Sequence, residues 1–202
     1  MYNPPISNAG SDQTVEMTSC AGATVTLDGS GSSDPDNDAL TYTWTWSGGT
    51  ATGVNPAITL PYGITTVTLS VADGKGGTST DTVNISVVDT TAPELNVSVT
   101  PNLLWPPNHK YVKATPSTSV NDACVETTKV ELVSATSNEP DNGLGDGDTA
   151  NDIVINADGT ISLRAERSGK GNGRTYTITY KAIDLAGNST TLSATVSVPH
   201  NQ

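Results

Sequence analysis

No phenylalanine occurs in these 202 residues, and there are only two cysteines, two histidines and nine Lys or Arg. Each scarcity excludes something. His109 lies in a proline-rich turn and His200 in the C-terminal tail, so neither belongs to a recognisable nucleophile motif. Two distant histidines and two distant cysteines do not make a zinc ligand set with loop spacing. Carboxylates are plentiful, but a glycosidase pair needs a cleft with substrate-gripping aromatics, which tandem small domains rarely leave. The chain is therefore read as non-catalytic. Nine bases against 21 acids give a net charge of −12, which repels nucleic acid and anionic membrane alike. No run of about 18 apolar residues exists, so no membrane insertion is expected, and no basic-then-apolar start marks a signal peptide. Cys20 and Cys124 fall in different halves, so no disulfide within a half can form. Two readings stay open: a bridge of the kind that staples secreted sandwiches, or two isolated buried thiols.

What is present is threonine, about one residue in six, and a repeat. Val67, Asp73, Gly76, Ile85, Ser86 and Val87 return with one fixed offset as Ile178, Asp184, Gly187, Val196, Ser197 and Val198. Both copies read as an alternating strand, an Asp with a Gly-rich turn, and a second alternating strand, the closing hairpin of a β-sandwich. The expected fold is all-β, two tandem immunoglobulin-like β-sandwiches at residues 1–89 and 94–202, joined by a polar, proline-closed linker at 90–93.

In the first module, strands are expected at Thr14–Met17, Ala23–Asp28, Leu40–Ser47, Ala57–Leu60, Thr65–Ala72 and Thr80–Val88. Along Thr41-Tyr42-Thr43-Trp44-Thr45-Trp46 the aromatics share one face and the threonines the other. That aromatic face is read as core, against the competing reading of an exposed platform for sugar rings. Asp34-Pro35-Asp36-Asn37-Asp38 crowds carboxylates that need a counter-charge or full hydration, and calcium seeks six to eight hard oxygens on such a loop.

Asn3-Pro4-Pro5, the run from Val25 through Asp28 to Asp36, Tyr42-Thr43-Trp44-Thr45-Trp46 and Val71-Ala72-Asp73-Gly74-Lys75-Gly76-Gly77 together resemble a PKD domain, a seven-stranded immunoglobulin-like sandwich, over residues 3–89. The family's Trp-Asp-Phe-Gly-Asp-Gly signature is replaced by Trp44-Thr45-Trp46-Ser47-Gly48-Gly49, so any role for its two acids is lost here. The resemblance implies calcium held by Asn3, Asp34, Asp36 and Asp73.

In the second module, strands are expected at Glu94–Thr100, Lys110–Thr115, Lys129–Ser137, Ile153–Ile155, Thr160–Glu166, Arg174–Ile183 and Thr191–Val198. Asp158-Gly159 and Asn172-Gly173 supply hairpin turn chemistry. The linker, the Asn121-Asp122-Ala123-Cys124 turn and Asp184-Leu185-Ala186-Gly187-Asn188 resemble bacterial immunoglobulin-like and HYR repeats of secreted and surface proteins. Two prolines forbid a central strand at Leu103–Lys110, where Trp105 is expected to pin an irregular crossover. The acidic loop at 138–152 places Asp141, Asp146, Asp148 and Asp152 among glycines, a second candidate calcium loop that lacks the EF-hand order. Arg164, Arg167, Lys170 and Arg174 follow, and salt bridging to that loop is their expected role.

The functional expectation is a calcium-stabilised adhesive or spacer segment, extracellular, whose partners are other modules of a longer secreted or cell-surface bacterial protein. Two alternatives stand beside it. One is a carbohydrate-binding accessory module of a secreted hydrolase, with polysaccharide or protein ligands met by exposed Trp105, Tyr111 and Tyr62. The other is a surface or filament subunit that self-associates through sandwich edges, opposed by the net charge unless calcium screens it. The fold hosts all three roles.

Overall fold

A computed structural model of the chain describes residues 3–124, 128–141, 150–169 and 172–200. The chain divides into two compact units, residues 1–90 and 91–202. Every element among the described residues is a strand, as β-branched Thr, Val and Ile favour half-buried pleated surfaces. Both units are immunoglobulin-like sandwiches, and neither Cys20 nor Cys124 is a free thiol, both being disulfide-bonded.

In the first unit, β1 (Gln13–Glu16), β7 (Thr78–Val88), β6 (Gly63–Ala72), β3 (Thr41–Trp46) and β4 (Gly49–Thr52) form one sheet in that order, with β1 parallel to β7. The facing sheet pairs β2 (Ala23–Thr26) with β5 (Ala57–Leu60). The alternation works as read: Val67, Leu69 and Val71 of β6 and Val83, Ile85 and Val87 of β7 are buried, while their neighbours face out. Trp44 is fully buried between the sheets, and its indole N–H donates to the Gly53 carbonyl at 3.0 Å. The core reading of that face therefore holds for Trp44, with Tyr42 and Trp46 half-buried on the same side. One element was not expected: β4, reached through a tight turn at Ser47-Gly48, since Trp46 pairs with Gly49. Gly22 permits the close approach of its turn to β5, because a Cβ there would sit 1.8 Å from the Leu60 carbonyl oxygen.

In the second unit, β10 (Lys129–Ser137), β13 (Gly173–Ile183) and β14 (Ser189–Pro199) face a sheet of β11 (Ile153–Ile155), β12 (Ile161–Arg164), β9 (Tyr111–Asn121) and β8 (Glu94–Thr100). Ala114, Ile161, Leu163, Tyr176, Ile178, Val196 and Val198 form the centre of its core. The β11–β12 turn is built on Asp158-Gly159, with Gly159 at φ 79°. β9 runs six residues past the expected end at Thr115. Pro116 is tolerated because β12 pairs only with 111–114, so the missing N–H falls where β8 is the sole neighbour. The crossover is pinned by Leu104, which is buried and donates its N–H to Ser197, whereas Trp105 stays 44% exposed. The apolar neighbour, not the larger ring, took the anchoring role.

The repeat is a structural repeat as well. Val67 pairs with Val83 as Ile178 pairs with Ala194, and the hairpins close on Ala72–Thr78 and Ile183–Ser189, the same register throughout.

Candidate functional site

The turn of the first module's closing hairpin is folded by Asp73. Its Oδ1 accepts the N–H groups of Lys75 at 2.8 Å and Gly77 at 3.0 Å, while Gly74 and Gly76 take φ values of 71° and 109°. Asp and Gly are the residues such a turn demands. The 34–38 turn is built in the same way: Asp34 Oδ1 accepts from the N–H of Asp36 at 2.8 Å and of Asp38 at 3.2 Å, and Asn37 sits at φ 60°. The N-terminal segment arrives beside it, where Ile6 and Ser33 exchange backbone hydrogen bonds. Asn3 then donates its backbone N–H to Asp36 Oδ2 at 2.9 Å and its side-chain Nδ2 to Oδ1 at 3.0 Å. These bonds, the backbone one first, hold the Asp36 carboxyl below its ordinary range.

Three segments distant in sequence thus converge on one acidic cluster. One carboxylate oxygen from each of Asp34, Asp36 and Asp38 lies within 4.8 Å of the others, and Asp73 is near enough to Asp36 to act on its charge. Asp34 Oδ2 and Asp38 Oδ2 are buried and accept no hydrogen bond, an unfavourable state for a carboxylate oxygen that lacks water or a cation. The donor set fits calcium, which takes carboxylate oxygens at about 2.3–2.6 Å and so spans oxygens up to about 5 Å apart. Lys75 Nζ stands 2.6 Å from Asp38 Oδ1. The structure therefore brings Asn3, Asp34 and Asp36 into contact with one another and adds Asp38 and Lys75, while Asp73 belongs to the turn that carries Lys75 and is not one of the three clustered carboxylates.

The acidic loop of the second module has a different environment. Asp146 and Asp148 lie outside the described residues, as does Lys170. Asp141 accepts the N–H groups of Asp152 at 2.7 Å and Asn151 at 3.0 Å, which ties the two ends of the loop together and lowers its pKa. Asp152 is 2% exposed and is ion-paired to Arg174 Nη1, with Arg164 Nε at 3.4 Å from its other oxygen. Arg174, fully buried, also donates to Glu139 Oε2 at 3.2 Å and to the Pro140 carbonyl at 3.3 Å. Arg164 donates to the carbonyls of His109 and Ala150, both at 3.1 Å. Salt bridging is the observed role of these two arginines, while Arg167 instead donates to the carbonyls of Pro199, Ser168 and His200.

Glu166, fully buried, completes this group. Its Oε2 meets His109 Nδ1 at 3.1 Å, and burial, aided by the neighbouring Asp152 carboxylate, pushes its pKa up to about 7. Burial likewise pushes the Tyr176 hydroxyl up to about 12, and this hydroxyl donates to the Arg164 carbonyl at 2.7 Å. Sequence reasoning missed Glu166 and the depth of Arg174. A signal was available: Arg174 shares the strand parity of Tyr176 and Ile178, which points it inward.

Tyr62, Trp105 and Tyr111 are 45%, 44% and 44% exposed. Tyr111 is not a free ring, since the Arg164 guanidinium lies 4.2 Å over it and Arg164 Nη2 donates to its hydroxyl at 2.9 Å.

No curated protein matches the chain significantly. Among solved structures it is similar to human protocadherin-24 EC1-2, at 20% identity over 100% of each chain with a TM-score of 0.37. It is similar to mouse cadherin-23 EC22-24, at 17% identity over 96% of this chain and 66% of that one, with a TM-score of 0.39. A nucleoside hydrolase-related hypothetical protein from Saccharophagus degradans, associated with carbohydrate metabolism, shows 23% identity and a TM-score of 0.36; the match covers 43% of this chain and only 26% of that one. The family likeness lies in the first module, whose residues 2–87 match the PKD domain family.

Proposed function

We propose that the chain is a non-catalytic, calcium-stabilised spacer or adhesive segment of a secreted or cell-surface protein. The observation that carries the calcium part is the pair of buried, unbonded oxygens, Asp34 Oδ2 and Asp38 Oδ2, inside a cluster whose backbone is already folded around them. Asn3, Asp34, Asp36 and Asp73 are the proposed ligand residues, with Asp38 a fifth. Calcium would there link the N-terminal segment, the 34–38 turn and the closing hairpin, three pieces whose ordering it would reinforce through binding to the native state alone. The proposal is confined to the first module, because Asp152 in the second is engaged by two arginines. Disulfide-bonded cysteines suit an oxidising, extracellular compartment. The PKD likeness of residues 2–87 suits a module set in a longer chain.

The test is the double substitution Asp34→Ala with Asp36→Ala, followed by thermal unfolding in millimolar calcium and in chelator. The variant loses the Asp34 turn bonds and the Asn3–Asp36 bonds in either condition, so the expected result is a lower melting temperature in both, with the larger loss in calcium. Equal losses in both conditions would refute the calcium role. Light scattering on the eluting protein, with and without calcium, separates a spacer, monomeric in both, from a self-assembling subunit that grows in calcium.

A further inference from the structure

Among the first 92 residues there are nine acids and a single base, Lys75. That base is not scattered over the surface: its Nζ stands 2.6 Å from Asp38 Oδ1, at the mouth of the acidic cluster. We infer that Lys75 is an internal counter-cation of this cluster, holding it together without calcium and competing with a divalent ion for the same carboxylates. This inference rests on the calcium reading above.

Three observations carry it. First, the turn is built to deliver the ammonium. Asp73 Oδ1 captures the N–H of Lys75 itself, and glycines at positive φ flank it on both sides, so the chain bends back toward 34–38. A Cβ at Gly74 or Gly76 would meet nothing within 4 Å, so these glycines answer to backbone conformation and not to crowding. Second, the pair is asymmetric in burial: the Asp38 side chain is 14% exposed and that of Lys75 61%. The lysine thus reaches in from solvent and can swing back into it, as a flexible four-carbon stem with a compact charge allows. Third, the ammonium bonds only the outer oxygen of Asp38 and leaves Asp34 Oδ2 and Asp38 Oδ2 without a hydrogen bond. A divalent ion that reaches those inner oxygens meets Lys75 as a like charge a few ångströms away and displaces it. The second copy of the turn has no such device, for Ala186 stands where Lys75 stands in the first. The ion threshold of the site is therefore written into one side chain.

The experiment is a calorimetric calcium titration of the full chain and of Lys75→Gln and Lys75→Arg, with thermal unfolding in chelator beside it. Lys75→Gln should bind calcium about two- to five-fold more tightly, the span expected for removing an exposed ion pair, and should melt at a lower temperature than the parent in chelator. Lys75→Arg should keep the parent's affinity within that span. If the parent and Lys75→Gln both bind calcium with the same affinity, or the variant binds more weakly, the lysine inference fails and the calcium reading stands. Binding by Lys75→Gln alone would uphold the lysine and overturn calcium occupancy of the parent. No binding by either would overturn both.

Discussion

The two modules crowd carboxylates in two opposite settings. In the first, the cluster opens to water through exposed Asp36 and a lysine that reaches in from solvent, although one oxygen each of Asp34 and Asp38 is buried. In the second, Asp152 and Glu166 lie below the surface and face two buried arginines. Charges at the surface are screened and exchangeable, so the first cluster should answer to ions and salt. Charges out of water are barely screened and depend on their fixed partners, so the second should answer to mutation and to protons. The same acidic composition thus yields a solvent-accessible acidic cluster in one module and a buried, ion-paired knot in the other.

The comparison breaks most severely at Arg174. Replacing it by Met leaves Asp152 and Glu139 without the guanidinium that both contact, inside a pole that also joins Tyr176 and the Pro140 carbonyl. Loss of one partner from a buried pair costs about 3–5 kcal/mol. Urea unfolding followed by a probe in each module should show the second module's transition moved to lower denaturant and the first unchanged. Adding Asp152→Asn to Arg174→Met should recover part of the loss, because the stranded charge is gone. A cost below about 1 kcal/mol for Arg174→Met would place the pair in the class of surface bridges instead.

Protons probe the same knot more gently. The ordinary value for Glu166 is 4.5, and burial raises it to about 7 in the folded protein. The folded state therefore binds a proton that the unfolded chain releases, and this stabilisation is complete below 4.5 and lost as pH rises through 7. Asp36 and Asp141, held low by backbone N–H groups, act with the opposite sign: their stabilisation is present above the ordinary carboxylate range and lost as pH falls into acid. The second module's stability should fall by on the order of 2 kcal/mol from about pH 5 to pH 8, and Glu166→Gln should flatten that slope. A slope that survives in Glu166→Gln would assign it to another group.

Much of the fold was legible because its cues are periodic. The alternation Tyr42, Trp44, Trp46 and the repeated hairpin each state which side faces inward, and both hold. β4 was illegible because Gly49-Thr50-Ala51-Thr52 has no apolar alternation; it is a strand only because β3 offers it a partner. At the candidate site, Asp34, Asp36 and Asp73 were visible as turn chemistry, whereas their convergence depends on tertiary pairing that no local pattern encodes. The charged core of the second module was illegible for a different reason. Arg164, Glu166 and Arg174 read as solvent-facing types, and only their mutual pairing makes burial tolerable.

The smallest effect tests the repeat itself. Gly76 and Gly187 occupy equivalent places in the two closing turns, at φ 109° and 94°, with nothing near either Cα that a methyl group would touch. Alanine at either place should cost about 1 kcal/mol of backbone strain in its own module, since an L-residue is disfavoured there. The two costs should agree, because each turn is capped in the same way: Asp73 and Asp184 accept the N–H four residues on, at 3.0 and 2.8 Å. Calcium should separate them. Gly76→Ala disturbs the turn that aims Lys75 and carries Asp73, so it should also shift the calcium-dependent rise in melting temperature, whereas Gly187→Ala should leave that rise as it is in the parent. Equal stability losses with equal calcium responses would mean that the first turn, like the second, is only a turn.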